Sequence, residues 1–120
     1  MEPGKELLGK VAIVTGASRQ RGLGRALALC LASAGAEIVA CAAPNGEARL
    51  TVDEKENGWR GLGSLVDELH ALGVRATGIA VDLRSGGDVE NMVKSAVDSH
   101  GRVDILVNNA AYPRGSDRVP

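Results

Sequence analysis

The run Val11-Ala12-Ile13-Val14-Thr15-Gly16 passes through Ala17-Ser18-Arg19-Gln20-Arg21 into Gly22-Leu23-Gly24-Arg25-Ala26-Leu27. An apolar run, a basic loop between glycines and a helix-forming run predict strand, turn and helix in that order. A junction of this kind can hold an anion. Glycine lets the backbone come close to it, and the first turn of the helix offers unpaired N–H groups and the positive end of its dipole. In an open α/β sheet the ligand held there is a dinucleotide pyrophosphate. Gly16, Ser18, Arg19, Arg21, Gly22, Leu23 and Gly24 are therefore candidate binding residues. Gly22 and Gly24 alone would equally suit a tight turn and a close helix–strand contact. Thr15-Gly16 ahead of them favours the phosphate.

The other reactive side chains carry less. Cys30 and Cys41 have no metal-ligand spacing and read as buried thiols in a reducing compartment. His70 and His100 fall near helix C-termini, where a cation is favoured, and read as solvent-facing with no metal partner. Glu54-Lys55-Glu56 reads as a solvated run. The acids of the helices lie between apolar positions, so there is no carboxylate pair for acid–base work and no metal site is assigned.

Strand and helix patterns alternate along the chain. The first strand is Val11 to Thr15. A helix from near Gly22 places Leu23, Leu27, Cys30, Leu31 and Ala34 on one apolar face and stops at Gly35. Glu37 to Ala42 is a second strand, ended by the turn signal Pro44-Asn45-Gly46. Residues 45–61 are polar, with Trp59 the only large apolar group. That is long for a strand–helix connection, where ~2–6 residues is usual. It reads equally as a tolerated surface insertion and as a flap over a bound nucleotide. Ser64 with Asp67 resembles a capping box. Leu62, Leu65, Val66, Leu69 and Leu72 then stripe a second helix that stops at Gly73. Arg75 to Val81 is a third strand, leading into Asp82-Leu83. Val89, Met92, Val93, Ala96 and Val97 mark a third helix ending at Gly101, and Val103 to Val107 is a fourth strand. Right-handed crossovers between such strands give half of a doubly wound parallel sheet.

The bulk properties agree. A chain of 120 residues with 44% apolar content forms one small domain or a piece of a larger one. Having no Phe, one Trp and one Tyr, it must build its core from Ala, Val, Leu and Ile, as buried parallel sheets do. A net charge of −1 with interspersed signs excludes a basic nucleic-acid surface. No apolar run approaches the ~18–20 residues of a membrane span. The polar N-terminus lacks a secretion signal, so a cytoplasmic location is expected.

Four signals fall in order: the Thr15-Gly16 loop, Asp82-Leu83, Gly101-Arg102-Val103-Asp104 and Asn108-Asn109-Ala110. Together they resemble the classical short-chain dehydrogenase/reductase family over residues 7–111. The resemblance implies a Rossmann-type, three-layer α/β/α sheet in strand order 3-2-1-4, truncated after its fourth strand. Residues 1–111 are then a dinucleotide-binding half-domain and 112–120 an unstructured or truncated tail. It implies that Gly16, Gly22 and Gly24 surround the pyrophosphate, and that Asp82, with the backbone of Leu83, contacts the adenine. It further implies that Asn108 braces the sheet and Ala110 lies along the ribose. Two departures stand out. Five residues, not three, separate Gly16 from Gly22, and Asn-Asn-Ala is followed by Ala111 where the family has glycine.

Members of that family move hydride between a nicotinamide and an alcohol or carbonyl carbon, using a Tyr-x-x-x-Lys pair. The only tyrosine here, Tyr112, is followed four residues later by Ser116, so no catalytic residue is assigned. The chain by itself is expected to be inactive, the alternative being a non-catalytic nucleotide-binding module. The end of the second strand reads Cys41-Ala42-Ala43-Pro44, with no acid for a ribose 2′-hydroxyl. With Arg19 and Arg21 nearby, NADP is favoured over NAD. The complete parent is expected to be a homo-oligomer. The isolated chain is expected to self-associate through the apolar edge of its fourth strand.

Overall fold

Four apolar runs form the strands of one parallel sheet in a computed structural model that describes residues 6–44 and 49–110. The strands are β1 (Val11–Val14), β2 (Glu37–Ala42), β3 (Ala76–Ala80) and β4 (Ile105–Val107). Their order is β3-β2-β1-β4, with Ala12 opposite both Ile38 and Ile105, and Ile38 opposite Ala76. The helices are α1 (Leu23–Ser33), α2 (Val52–Glu56), α3 (Leu62–Ala71) and α4 (Gly86–His100). None is long and apolar enough to cross a membrane among the described residues. The turn at Asn45-Gly46, Ala111, Tyr112, Ser116 and the tail 112–120 lie outside the described residues.

Side chains alternate across the two central strands, and each face is covered. Ala12, Val14, Ile38 and Ala40 pack on one face with Ala28 and Ala32 of α1 and Leu65 and Leu69 of α3. Val11, Ile13, Val39 and Cys41 pack on the other with Met92 and Ala96 of α4. This gives the expected three layers, with β1 and β2 almost wholly buried as in other doubly covered parallel sheets. The glycine stops are as read: Gly35, Gly73 and Gly101 all have positive φ.

Several local expectations are corrected. The face of α1 that meets the sheet is Gly24, Ala28 and Ala32, flanked by the partly buried Leu31. Leu23 is 63% exposed, and Cys30 is an exposed thiol, whereas Cys41 is buried. The helix lies so close to β1 that small residues, not the largest ones, fit beneath it. Ser64 and Asp67 form no capping box. Gly61, at φ 82°, is the N-cap of α3, three residues before Ser64; Ser64 Oγ accepts from the Arg60 N–H, and Asp67 pairs with the Arg60 guanidinium. On α4, Met92 and Ala96 face the core, while Val93 and Val97 stay largely exposed, as do Leu106 of β4 and Val103 before it.

His100 is not solvent-facing. Its side chain is 2% exposed, with Nδ1 2.6 Å from Glu37 Oε1 and Nε2 3.0 Å from Thr77 Oγ1. An ionised carboxylate only accepts, so Nδ1 carries the hydrogen. The last residue of α4 thereby ties the starts of β2 and β3 together, and Arg75 reinforces this by donating to Ser99 O at 2.7 Å. His70 is exposed, with Nε2 3.1 Å from Ala76 O. We therefore expect His100→Ala to cost about 1–3 kcal/mol, since it leaves buried polar partners unpaired. His70→Ala should stay within about 0.5 kcal/mol. Urea unfolding followed by far-UV circular dichroism measures both. Equal effects would show that the His100 contacts carry no stability.

Candidate functional site

The loops after β1 and β4 meet at the C-terminal end of the sheet. Here the chain, having run from β1 through β2 to β3 on one side, returns to place β4 on the other. This reversal of strand order is where open α/β sheets bind ligands. Thr15, buried, donates its hydroxyl to Val107 O (3.3 Å) and accepts the N–H groups of Asn109 (3.0 Å) and Ala110 (3.1 Å). The Asn109 amide donates to Gly16 O at 3.2 Å. The asparagine that ties the two loops together is thus Asn109; Asn108, expected to brace the sheet, is exposed. Ile105 and Val107 turn inward along β4, and Asn109 continues their parity.

The glycines are required by close approach. Gly16 has φ 67°, and a Cβ there would lie 2.8 Å from Ala110 Cα. A Cβ at Gly24 would lie 2.5 Å from Gly16 O and 3.0 Å from Ala17 Cα. Gly22 is the N-cap of α1; it brings no side-chain cap, and the first turn carries no acid. The first N–H groups of that turn consequently have no intrahelical or side-chain cap. Gly16, Gly24 and Ala110 are packed together at this point.

The two arginines leave the glycine loop toward the inserted segment. Arg19 Nη1 donates to Glu54 Oε1 (3.0 Å) and Arg49 O (2.8 Å). Arg21 lies 3.5 Å from Asp53, both well exposed. Ser18 offers its carbonyl to the Trp59 indole N–H at 2.7 Å. Glu54 is not solvated as expected: it is 4% exposed, and its Oε2 accepts the Gln20 N–H at 2.8 Å. It also closes a true capping box with Thr51 at the start of α2. The Thr51-x-x-Glu54 spacing is the one sequence signal that could have shown this. Burial pushes the Glu54 carboxyl up. The Thr51 and Gln20 N–H groups and the Arg19 guanidinium outweigh burial and hold it below its ordinary 4.5.

Asp82 and Leu83 follow β3, two strands from β1. The Asp82 carboxylate accepts from Arg84 N, Nε and Nη2 at 3.0–3.1 Å, and this pairing holds it below the usual range. Most of its acceptor capacity is thereby used within its own turn. No group of His, Cys, Asp or Glu among the described residues could hold a metal.

The geometry generates two expectations. Gly24→Ala improves helix propensity by about 1 kcal/mol but drives a methyl into backbone that cannot yield, so a net loss of about 1–3 kcal/mol is expected. Gly87→Ala, with only Ser85 Oγ at 3.8 Å, should be neutral or stabilising. Thermal unfolding of the two variants compares them; a stabilised Gly24→Ala would refute the close approach. The second concerns pH. Because the folded pKa of Glu54 is depressed, its contribution is complete above 4.5 and is lost as pH falls through the lower folded value. The emission of Trp59, the only tryptophan, should shift red in that acid window in wild type and show no such step in Glu54→Gln.

A family model for short chain dehydrogenases matches residues 10–119. A 3-oxoacyl-(acyl-carrier-protein) reductase FabG of Staphylococcus epidermidis is 37% identical over 107 residues, 89% of this chain and 38% of that protein. The short chain dehydrogenase/reductase astE of Aspergillus oryzae is 40% identical over 107 residues, covering 88% and 34% of the two chains. Among solved structures, a short chain dehydrogenase from Mycobacterium smegmatis superposes with a TM-score of 0.74 at 29% identity, over 93% of this chain and 41% of that one. One from Burkholderia cenocepacia, in complex with NADP, gives 0.70 at 34% identity, over 89% and 38%. The chain spans from about a third to two fifths of the length of these proteins. The sheet order and the joining of the Thr-Gly loop to the Asn-Asn-Ala loop agree with a match over nearly all its residues, and this chain belongs to the short-chain dehydrogenase family.

Proposed function

We propose that residues 1–111 are the dinucleotide-binding half of an NAD(P)-dependent oxidoreductase that moves hydride between a nicotinamide and an alcohol or carbonyl. The observation that carries this reading is the cradle at the strand reversal. Gly16 and Gly24 leave room only for hydrogen, and the adjacent first turn of α1 is uncapped. A pyrophosphate fits such a cradle. Gly22 and the backbone of Ser18 and Leu23 complete it. Asp82, with the backbone of Leu83, flanks the adenine, Asn108 ends the sheet beside the site, and Ala110 lies along the ribose. Relatives solved with NADP and NADPH support a nicotinamide cofactor.

We assign no catalytic group within the chain, which carries no Tyr-x-x-x-Lys. Proton transfer by a positioned group is worth ~10²–10⁴-fold, so carbonyl reduction belongs to the whole protein. On the outer side of β4, which among the described residues pairs only with β1, Leu106 is exposed, as are Val103 before the strand and Val93 and Val97 of α4. This face is the one we assign to further strands, layers or copies of the parent. A buried Cys41 thiol, its pKa pushed by burial to about 12, suits a reducing, cytoplasmic setting.

For cofactor choice we favour NADP. The end of β2, Cys41-Ala42-Ala43-Pro44, carries no acid, and Arg19 is held through Nη1, which leaves its Nε and Nη2 edge for a 2′-phosphate. Titration of the chain with NADPH and NADH by nicotinamide fluorescence should give tighter NADPH binding. Arg19→Ala or Arg21→Ala should lower the NADPH-to-NADH affinity ratio by roughly tenfold. Tighter NADH binding, with a ratio unmoved by either substitution, would refute the preference.

A further inference from the structure

We propose that the segment 49–61 positions the glycine loop for its ligand, with Glu54 and Trp59 as the positioning residues; this rests on the dinucleotide reading above. The loop from Ala17 to Arg21 has two residues more than the family pattern, and a longer loop has more conformations to lose on binding. The segment takes hold of three consecutive loop residues. Trp59 donates to Ser18 O, and Glu54 accepts from the Arg19 guanidinium and from the Gln20 backbone N–H. Asn57 adds a bond to the Gln20 side chain at 3.1 Å. These contacts reach across 34 to 41 residues of chain.

The pattern of burial is unusual for a mere surface insertion. Within α2 the one buried residue is an acid, and the helix turns its carboxylate, not an apolar face, toward the loop. Trp59 is the apolar anchor, lying beneath the Arg25 guanidinium at 5.2 Å from the ring centre. Arg25 in turn pairs with Glu68 of α3 and donates to Gln20 O. The loop is thus gripped from α1 and from the segment around α2, while α3 braces Arg25. A buried carboxylate is costly unless fully hydrogen-bonded, and here its oxygens are spent on the loop whose backbone must meet the pyrophosphate. Fixing that loop before the ligand arrives couples docking of the segment to ligand affinity.

The test measures NADPH affinity by nicotinamide fluorescence for the 120-residue chain, Glu54→Gln and Trp59→Phe, well below their thermal midpoints and with far-UV spectra confirming the fold. Trp59→Phe keeps an aromatic ring in the pocket while removing, with the larger indole, the N–H bonded to Ser18 O, so it carries the test even where Glu54→Gln fails to fold. Each folded variant should bind NADPH about five- to tenfold more weakly, with Glu54→Asp in between. A lowered thermal midpoint with unchanged NADPH affinity would make the segment a purely structural support and overturn the proposal. A wild-type chain that binds no NADPH would overturn the dinucleotide reading itself, whereas wild-type binding that the variants do not alter would overturn this inference alone.

Discussion

The approach of the first turn of α1 to the Thr15–Gly16 backbone is the constraint on which the rest of the molecule depends. Gly24 meets Gly16 O with space for hydrogen alone, and Gly16 meets Ala110 in the same way. These contacts set how close α1 lies to β1, which is why Ala28 and Ala32 follow beneath it, with Leu29 and Leu31 only partly buried beside them and Leu23 exposed. They also lock the β1 loop to the β4 loop, with the Thr15 hydroxyl serving two backbone N–H groups that would otherwise be left unpaired at the sheet end. A helix that begins against the sheet in this way points its dipole into the crevice between β1 and β4. Fold and proposed anion site thus arise from the same contact.

The opposite end of the sheet is closed by different means. There the tie is polar: His100 lies between Glu37 and Thr77, and Arg75 reaches Ser99 O. Asp104 serves the same end, accepting the Val11 N–H at 2.9 Å while Arg102 holds its carboxylate. Hydrogen bonds that carry charge are the stronger class, and they secure the short edge strands β3 and β4, whose apolar burial is incomplete. The ligand end can therefore remain open in the crevice without loosening the register of the strands.

Much of this was legible in the residues. Strand positions and order follow from apolar runs and glycine stops, because period and backbone conformation are local properties. The face of α1 was not legible, because clearance beneath Gly24 selected small residues where apolar size had suggested leucines. His100 and Glu54 escaped for another reason. Each is buried by partners far along the chain, Glu37 at 63 residues and Gln20 at 34, and no local pattern encodes such pairs. Asn108 and Asn109 differ only in parity. Which of them turns toward Gly16 is decided by the pleat of β4, which places Ile105 and Val107 inward.

The electrostatics of the site explain why loop shape matters more than charge. The basic residues of the region are matched by acids: Arg19 with Glu54, Arg21 with Asp53, Arg25 with Glu68. The exposed Arg21–Asp53 pair is worth little, about 0–1 kcal/mol, and yields readily to a competing phosphate. The Arg19–Glu54 pair is anchored by backbone N–H groups on the carboxylate side and does not yield in this way. On the dinucleotide reading proposed above, a pyrophosphate here meets almost no net positive side-chain charge. Its attraction must come from the N–H groups and dipole at the start of α1, which act only at short range and in the right direction. On that reading affinity depends on how accurately the five residues between Gly16 and Gly22 are held, and Ser18, Arg19 and Gln20 are held from the segment by Trp59, Glu54 and Asn57 and from α1 by Arg25.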